Sequence, residues 1–303
     1  MFSGKRGLGL ALSVVLAGSL LLLAGCASNS QTSPTPSSSS GGIDFTVSGS
    51  ITAAGSSALQ PLVEQAADQF MQNDSNAKIS VQAGGSGTGL AQIAQGSIDI
   101  GDSDLFASEK LTSAQAAGLV DHKVCVVGFA TVVNPGVTVD NLTKQQLQQI
   151  FTGKITNWKD VGGSDQQITV INRPTSSGTR ATFKKYALDG MEEAQGLALT
   201  QDSSGAVAKA VSGTPGSISY LALSFASSNK TVKMLKLDGV DPTNDNIISG
   251  QYPIWSYEHM YTKGDPQGLA KAFIGYMMSD QVKPLIQQLG YIDTSDMKVS
   301  RPS

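Results

Sequence analysis

The chain is predicted to be an α/β protein with mostly parallel sheets. Three observations carry this. Short apolar runs bounded by glycine alternate with amphipathic helical stretches, the order strand, loop, helix, strand recurs along the chain, and no internal repeat is apparent. At 303 residues, 40% of them apolar and 15% charged, there is material for one large domain or two modest ones with proper cores.

Residues 1–25 read as an export signal: Lys5 and Arg6 form a short basic region, Leu8 to Leu23 an apolar run, and Ala24 and Gly25 a small-residue close. Cys26 directly after Leu-Ala-Gly resembles the lipobox of bacterial lipoproteins, which implies a diacylglycerol on its sulfur and a mature N-terminus there. Two acyl chains hold a protein at a membrane surface, whereas one does not. After Cys26 comes ASNSQTSPTPSSSSGG, whose Ser, Thr, Pro and Gly cannot repay their ordering entropy; residues 26–44 are expected to be a lipidated N-terminus and flexible tether. The expected location is the extracytoplasmic face of a bacterial cell membrane.

In the body from residue 45, FTVSGSITAAG and KISVQAG read as strands. Leu59, Leu62, Val63, Ala66 and Phe70 between them fall on one helical face, with Pro61 tolerable in a first turn. IDIG (98–101) is a short strand and KVCVVGFATVVN (123–134) a long buried one holding Cys125 as a small hydrophobe. LTKQQLQQIFTG is helical to Gly153, ITVIN (168–172) a strand, and 179–188 a helix. VKMLKLDG and IWSYEHMYT read as strands, and PQGLAKAFIGYMMSDQVKPLIQQLG as helical.

Charge and rare residues exclude several functions. A net charge of −3 with scattered lysines leaves no basic stripe for nucleic acid. Two cysteines, with His122 and His259 as the only histidines, do not make a disulfide framework, a metal site or a histidine-based triad. No cofactor, metal or catalytic residue is expected.

Ligands of such sheets bind beyond the carboxyl ends of the strands. Three of those ends are Gly/Ser-rich turns opening helices: Gly55-Ser56-Ser57-Ala58, Gly84-Gly85-Ser86-Gly87-Thr88-Gly89, and Ser176-Ser177-Gly178-Thr179, the last preceded by Arg173. Each offers unpaired N–H groups, a partial positive charge and hydroxyl donors, and glycine admits close approach. Arg173 adds a planar fork matched to two oxyanion oxygens. Any one turn is as well explained by ordinary capping; their joint occurrence points to a small dehydrated oxyanion. The glycine run lacks both GxxxxGK[ST] and GxGxxG.

Asp104, with Asp102 and Asp99 as nearby competitors, ends the fourth strand. A carboxylate repels an anion unless the anion still carries a proton, so one acceptor admits hydrogen phosphate and rejects sulfate. The bland alternative is a cap for a helix beginning near residue 108.

TAAGSSALQPLVEQ, GGSGTG, IDIGDSD, FTGKITNW, RPTSSGT and GSISYLAL, spread over residues 47–300, resemble the phosphate-binding proteins of bacterial phosphate ABC transporters. The resemblance implies a two-lobed periplasmic-binding-protein-like fold with a hinge and an interlobe cleft: lobe I of 45–128 plus 256–303 and lobe II of 129–255. It implies phosphate contacts at Ser57, the Ala58 amide, Ser86, Asp104, Arg173, Ser177, Gly178 and Thr179, with Arg180 either rimming the cleft or pairing with an acid. Implied partners are inorganic phosphate, the membrane permease and the ATPase subunits, with the receptor itself a monomer. Competing expectations are sulfate or molybdate binding, an exported hydrolase using Ser57, Ser86 or Ser177, and an adhesive or signalling surface protein.

Cys26→Ala is expected to move the protein from the membrane pellet to the supernatant with ligand binding unchanged; a variant that still pellets contradicts the lipid anchor.

Overall fold

The computed structural model describes residues 46–194 and 198–302; the export signal, Cys26 and the tether lie outside them. In chain order, β1 (Gly49–Gly55) leads to α1 (Gln60–Asn73), β2 (Ala77–Ala83), α2 (Ser86–Gln95) and β3 (Ile100–Ser103). A short helix α3 (Ser113–Ala116) precedes β4 (Leu119–Val133), the longest strand at 15 residues. Then come β5 (Asn141–Leu142), α4 (Lys144–Phe151), β6 (Thr169–Asn172), α5 (Gly178–Tyr186), β7 (Ala198–Thr200), α6 (Ser204–Gly213) and β8 (Ser217–Ala222). The chain closes with α7 (Leu223–Ala226), β9 (Lys233–Met234), β10 (Lys236–Leu237), α8 (Asn244–Ile248), β11 (Trp255–Lys263), α9 (Gly268–Met277) and α10 (Lys283–Gln288).

Local chemistry accounts for the element ends that matter. α1 buries Leu62, Val63, Ala66 and Phe70 on one stripe and takes Pro61 in its first turn, where no N–H is needed. Thr143 caps α4 by accepting from the Gln146 amide while Gln146 reaches back to the Thr143 amide. Phe70 meets Phe273 and Tyr276 edge-on at 5.8 and 5.6 Å, tying α1 to α9.

The main sheet runs β2-β1-β3-β11-β4-β8-β6-β7, with β9 also on β4. Pairing is parallel at both ends: β1 with β2 and β3, and β6 with β7 and β8. The middle is antiparallel. Residues 119–128 of β4 pair with β11, and residues 129–133 pair with β8. β4 thus carries the chain out of one strand group into the other, and β11 brings it back.

Three expected elements differ in detail. β3 begins two residues later than IDIG. VKMLKLDG is two short strands, because the buried Leu235 turns the chain from β4, where β9 pairs, to β5, where β10 pairs. The C-terminal helical stretch breaks after Met277, and Pro284 fits only the first turn of the second helix.

Candidate functional site

The two strand groups face each other across a crevice, and four helix starts line it. From one group come the turn before α1, the start of α2 and the end of β3; from the other, the end of β6, the start of α5 and the start of α6. Ser56, Ser57, Ser86, Asp104, Arg173, Ser177, Thr179 and Ser204 are all buried.

Arg173, at the end of β6, is 1% exposed. Its Nη2 donates to Ser57 Oγ at 3.1 Å and to the Asp202 carbonyl at 3.0 Å. Nε and Nη1 are buried without an acceptor among the described residues. Burial pulls its pKa down from the usual arginine value, opposed by Tyr220, Asp104 and Asp202, but a guanidinium stays charged throughout. Two N–H directions of a buried cation therefore demand an acceptor.

Asp104, 2% exposed, receives three hydroxyls. Ser56 and Ser86 donate to Oδ1, Ser86 at 3.2 Å, and Thr179 donates to Oδ2 at 2.9 Å from across the crevice. Ser86 Oγ also accepts from the Asp104 amide at 3.0 Å. The bland alternative does not hold: the short 3-10 turn Ala107–Glu109 starts from Phe106, and the Asp104 carboxylate plays no part in it.

Glycine lets the walls meet. A Cβ on Gly178 would overlap Ser86 Oγ and stand 2.8 Å from Ser86 Cβ. Gly85, at φ +85°, would put a Cβ 2.8 Å from the Ser176 carbonyl, while the amide of the next glycine, Gly87, donates to that carbonyl at 2.8 Å. Lys185–Glu109 at 2.6 Å and Lys110 Nζ to the Thr175 carbonyl at 3.1 Å bridge the rim. Outside this rim lies an open groove of about 610 Å³ lined by Lys110, Thr175, Arg180, Lys184 and Lys185.

The expected residues thus converge, with two adjustments. The Ala58 amide bonds Ser56 Oγ at 3.1 Å, so in this arrangement it is satisfied inside its own turn. Arg180 pairs with the buried Glu193 at 3.3 Å and donates to the Arg173 carbonyl, fixing the backbone that carries Arg173. Burial raises Glu193 above the usual carboxyl range, against the Tyr220 hydroxyl and Arg180. Sequence reasoning missed Ser56, Ser204 and Asp202. Ser204 was findable: Ser203-Ser204-Gly205 opens α6 after β7, the same strand–turn–helix pattern as the other three. Its amide donates to Ser57 Oγ at 3.2 Å.

An α/β chain that crosses between two strand groups and seals helix starts and a buried arginine over a crevice falls in the class of two-sided binding folds. The family model described as a PBP superfamily domain matches residues 35–281. Over 293 residues, 96% of either chain, the sequence is 50% identical to the phosphate-binding protein PstS of Bacillus subtilis (strain 168). It is similar in structure to a putative phosphate ABC transporter substrate-binding protein with bound phosphate from Clostridium perfringens: TM-score 0.75, 27% identity, covering 81% of this chain and 100% of that one. An ABC-type phosphate transport receptor from Vibrio cholerae gives 0.64 and 31%, covering 80% and 99%. The chain belongs to the PBP superfamily and, within it, to the PstS family of phosphate-binding proteins.

Arg180→Met should destabilise the fold by about 3–5 kcal/mol in urea unfolding, because it leaves Glu193 buried without its cation. Adding Glu193→Gln should recover part of that loss; a single variant as stable as wild type contradicts the pairing.

Proposed function

We propose that this chain is a lipid-anchored extracytoplasmic receptor that binds inorganic phosphate between its two strand groups and passes it to the permease and ATPase of a phosphate ABC transporter. The observation that carries the reading is Arg173, a buried cation with two nitrogens, Nε and Nη1, lacking an acceptor among the described residues. A tetrahedral oxyanion seated against the starts of α1, α2 and α5 would give it two oxygens in one plane. The names borne by the Bacillus subtilis and Clostridium perfringens relatives point to the same ligand.

In this reading Ser57, Ser86, Ser177 and Thr179 donate hydroxyls, and amides at Ala58, Gly178 and Thr179 donate N–H groups, those of α2 and α5 reinforced by the helix dipoles. Ala58 releases its bond to Ser56 when the ligand enters. The hydroxyls of Ser86 and Thr179, now on Asp104, rotate to ligand oxygens and free an acceptor position on the carboxylate. Asp104 then accepts the hydrogen of hydrogen phosphate. Fully ionised sulfate has none to offer, and a desolvated carboxylate against a bare oxygen disfavours it.

Lobe I, 45–128 with 256–303, and lobe II, 129–255, close by bending where β4 changes partners at Phe129 and where β11 begins at Trp255. Closure excludes water, strengthens every charge-assisted bond and forms a surface that only the loaded receptor offers to the permease. In this reading the chain acts as a receptor without turnover.

Calorimetric titration with phosphate and sulfate tests the reading. Arg173→Ala should cost about 2–5 kcal/mol of phosphate binding, since it removes a buried charge that pairs with the anion; near-normal affinity contradicts the site. Asp104→Asn should narrow the gap between phosphate and sulfate affinities while the melting temperature stays close to wild type. An unchanged ratio would remove Asp104 as the proton acceptor.

A further inference from the structure

Asp104 has acidic company. Asp102 lies within β3 and Asp104 one residue past its end, and both are buried. β11 runs antiparallel to β3, with Met260 opposite Asp102 and His259 opposite Ser103. One step further sets Glu258 against Asp104, and their carboxyl groups come within hydrogen-bonding reach. Glu258 is fully buried. Neither of its oxygens, nor Asp102 Oδ1, accepts a hydrogen bond from a donor among the described residues.

Three ionised carboxylates packed together beside an anion site would repel one another and the ligand. The titratable groups facing Glu258 are Asp102 and Asp104 from β3 and its end, Cys125 opposite it on β4, and Tyr291 from the segment after α10. None is a cation. His259, next along the strand, is paired with Asp121 at 2.7 Å. Protonation neutralises such a cluster without a cation. Burial first, then the charges of Asp104 and Asp102, push Glu258 well above the ordinary carboxyl range. Burial pushes Asp102 up to about 8.

We propose that Glu258 and Asp102 are positioning residues held as neutral carboxylic acids, which confine the negative charge of this end of the crevice to Asp104 and aim it at the ligand. The inference rests on the phosphate reading and names what keeps its proton acceptor ionised. Glu258 donates its proton to Asp104, as one member of a carboxylic acid–carboxylate pair. A carboxylate offers about four lone-pair positions. Ser56 and Glu258 hold two of them, and rotation of the Ser86 or Thr179 hydroxyl vacates one for the ligand's hydrogen. Above the range in which Glu258 and Asp102 keep their protons, the anion faces added negative charge and affinity falls.

The test titrates wild type, Glu258→Gln and the double variant Asp102→Asn/Glu258→Gln with inorganic phosphate by calorimetry, from about pH 7 to about pH 10, an interval that spans the value of about 8 to which burial raises Asp102. Inorganic phosphate itself passes from dihydrogen to hydrogen phosphate around neutral pH, so each affinity is referred to the hydrogen phosphate concentration, and the slope that remains belongs to the protein. Wild-type affinity should fall about tenfold or more toward the alkaline end, while the double variant stays within about threefold of its neutral value and of wild type at neutral pH. A flat wild-type profile, an equal fall in the double variant, or loss of phosphate at neutral pH in variants that melt like wild type overturns the proposal. Infrared spectroscopy of the wild-type protein gives a reading that needs no substitution. A neutral carboxylic acid carbonyl band should be present at neutral pH and fade as affinity falls; its absence at neutral pH also overturns the proposal. The band is read without ligand, so a wild-type protein that shows it but binds no phosphate refutes the phosphate reading and leaves the protonation state established.

Discussion

The arrangement depends on one buried guanidinium. Arg173 sits at 1% exposure with Nη2 held by Ser57 and the Asp202 carbonyl. Desolvating a charge of this kind is expensive unless it is paired, and here the protein supplies only part of the pairing. The remaining two nitrogens, Nε and Nη1, make the crevice a place where an oxyanion is worth more than water. Its neighbours support that role: Arg180 grips the carbonyl of Arg173 and is itself anchored on buried Glu193, which Tyr220 fixes from the other side at 2.7 Å.

The fold explains why such a site can be both dry and accessible. Within the sheet β4 pairs with both strand groups, and β11 begins where the chain returns to the first. Each group is a parallel α/β unit whose strand ends and helix starts point at the other, so neither group makes a complete site alone. Ser57 and Asp104 belong to one side, Arg173 and Thr179 to the other, and they meet at 3.1 and 2.9 Å. Glycine at 178 and at 85 removes the side chains that would stop the approach. The bonds that join the walls are largely hydroxyl and backbone bonds, each worth about 1 kcal/mol net, so they can be exchanged for bonds to a ligand at little cost.

Negative charge is rationed in the same way. β11 is a central strand flanked by β3 and β4, so Glu258 is enclosed rather than solvated, and its nearest ionisable neighbours are acids, a thiol and a phenol. A carboxylate that is meant to find a proton on its ligand works best when it is the one charge at its end of the crevice.

Much of this was legible in the chain itself. Strand and helix identities follow from glycine-bounded apolar runs and from the stripe Leu62, Val63, Ala66, Phe70, because periodicity records which face is buried. The turns before α1, α2 and α5, together with Arg173, announced an anion site, since Ser, Gly and Thr at helix starts carry the same local chemistry wherever they occur. What local chemistry could not decide was which of two adjacent serines faces which partner: Ser56 reaches Asp104, whereas Ser57 reaches Arg173. Nor could it reveal that Arg180 secures a backbone, that Ser204 joins from a fourth helix start, or that Glu258, an alternating residue in IWSYEHMYT, is sealed against Asp104. Those are contacts across 13 to more than 150 positions of sequence, set by the crossing of β4 and β11, and a sequence pattern holds no information about a distance until the sheet has brought its ends together.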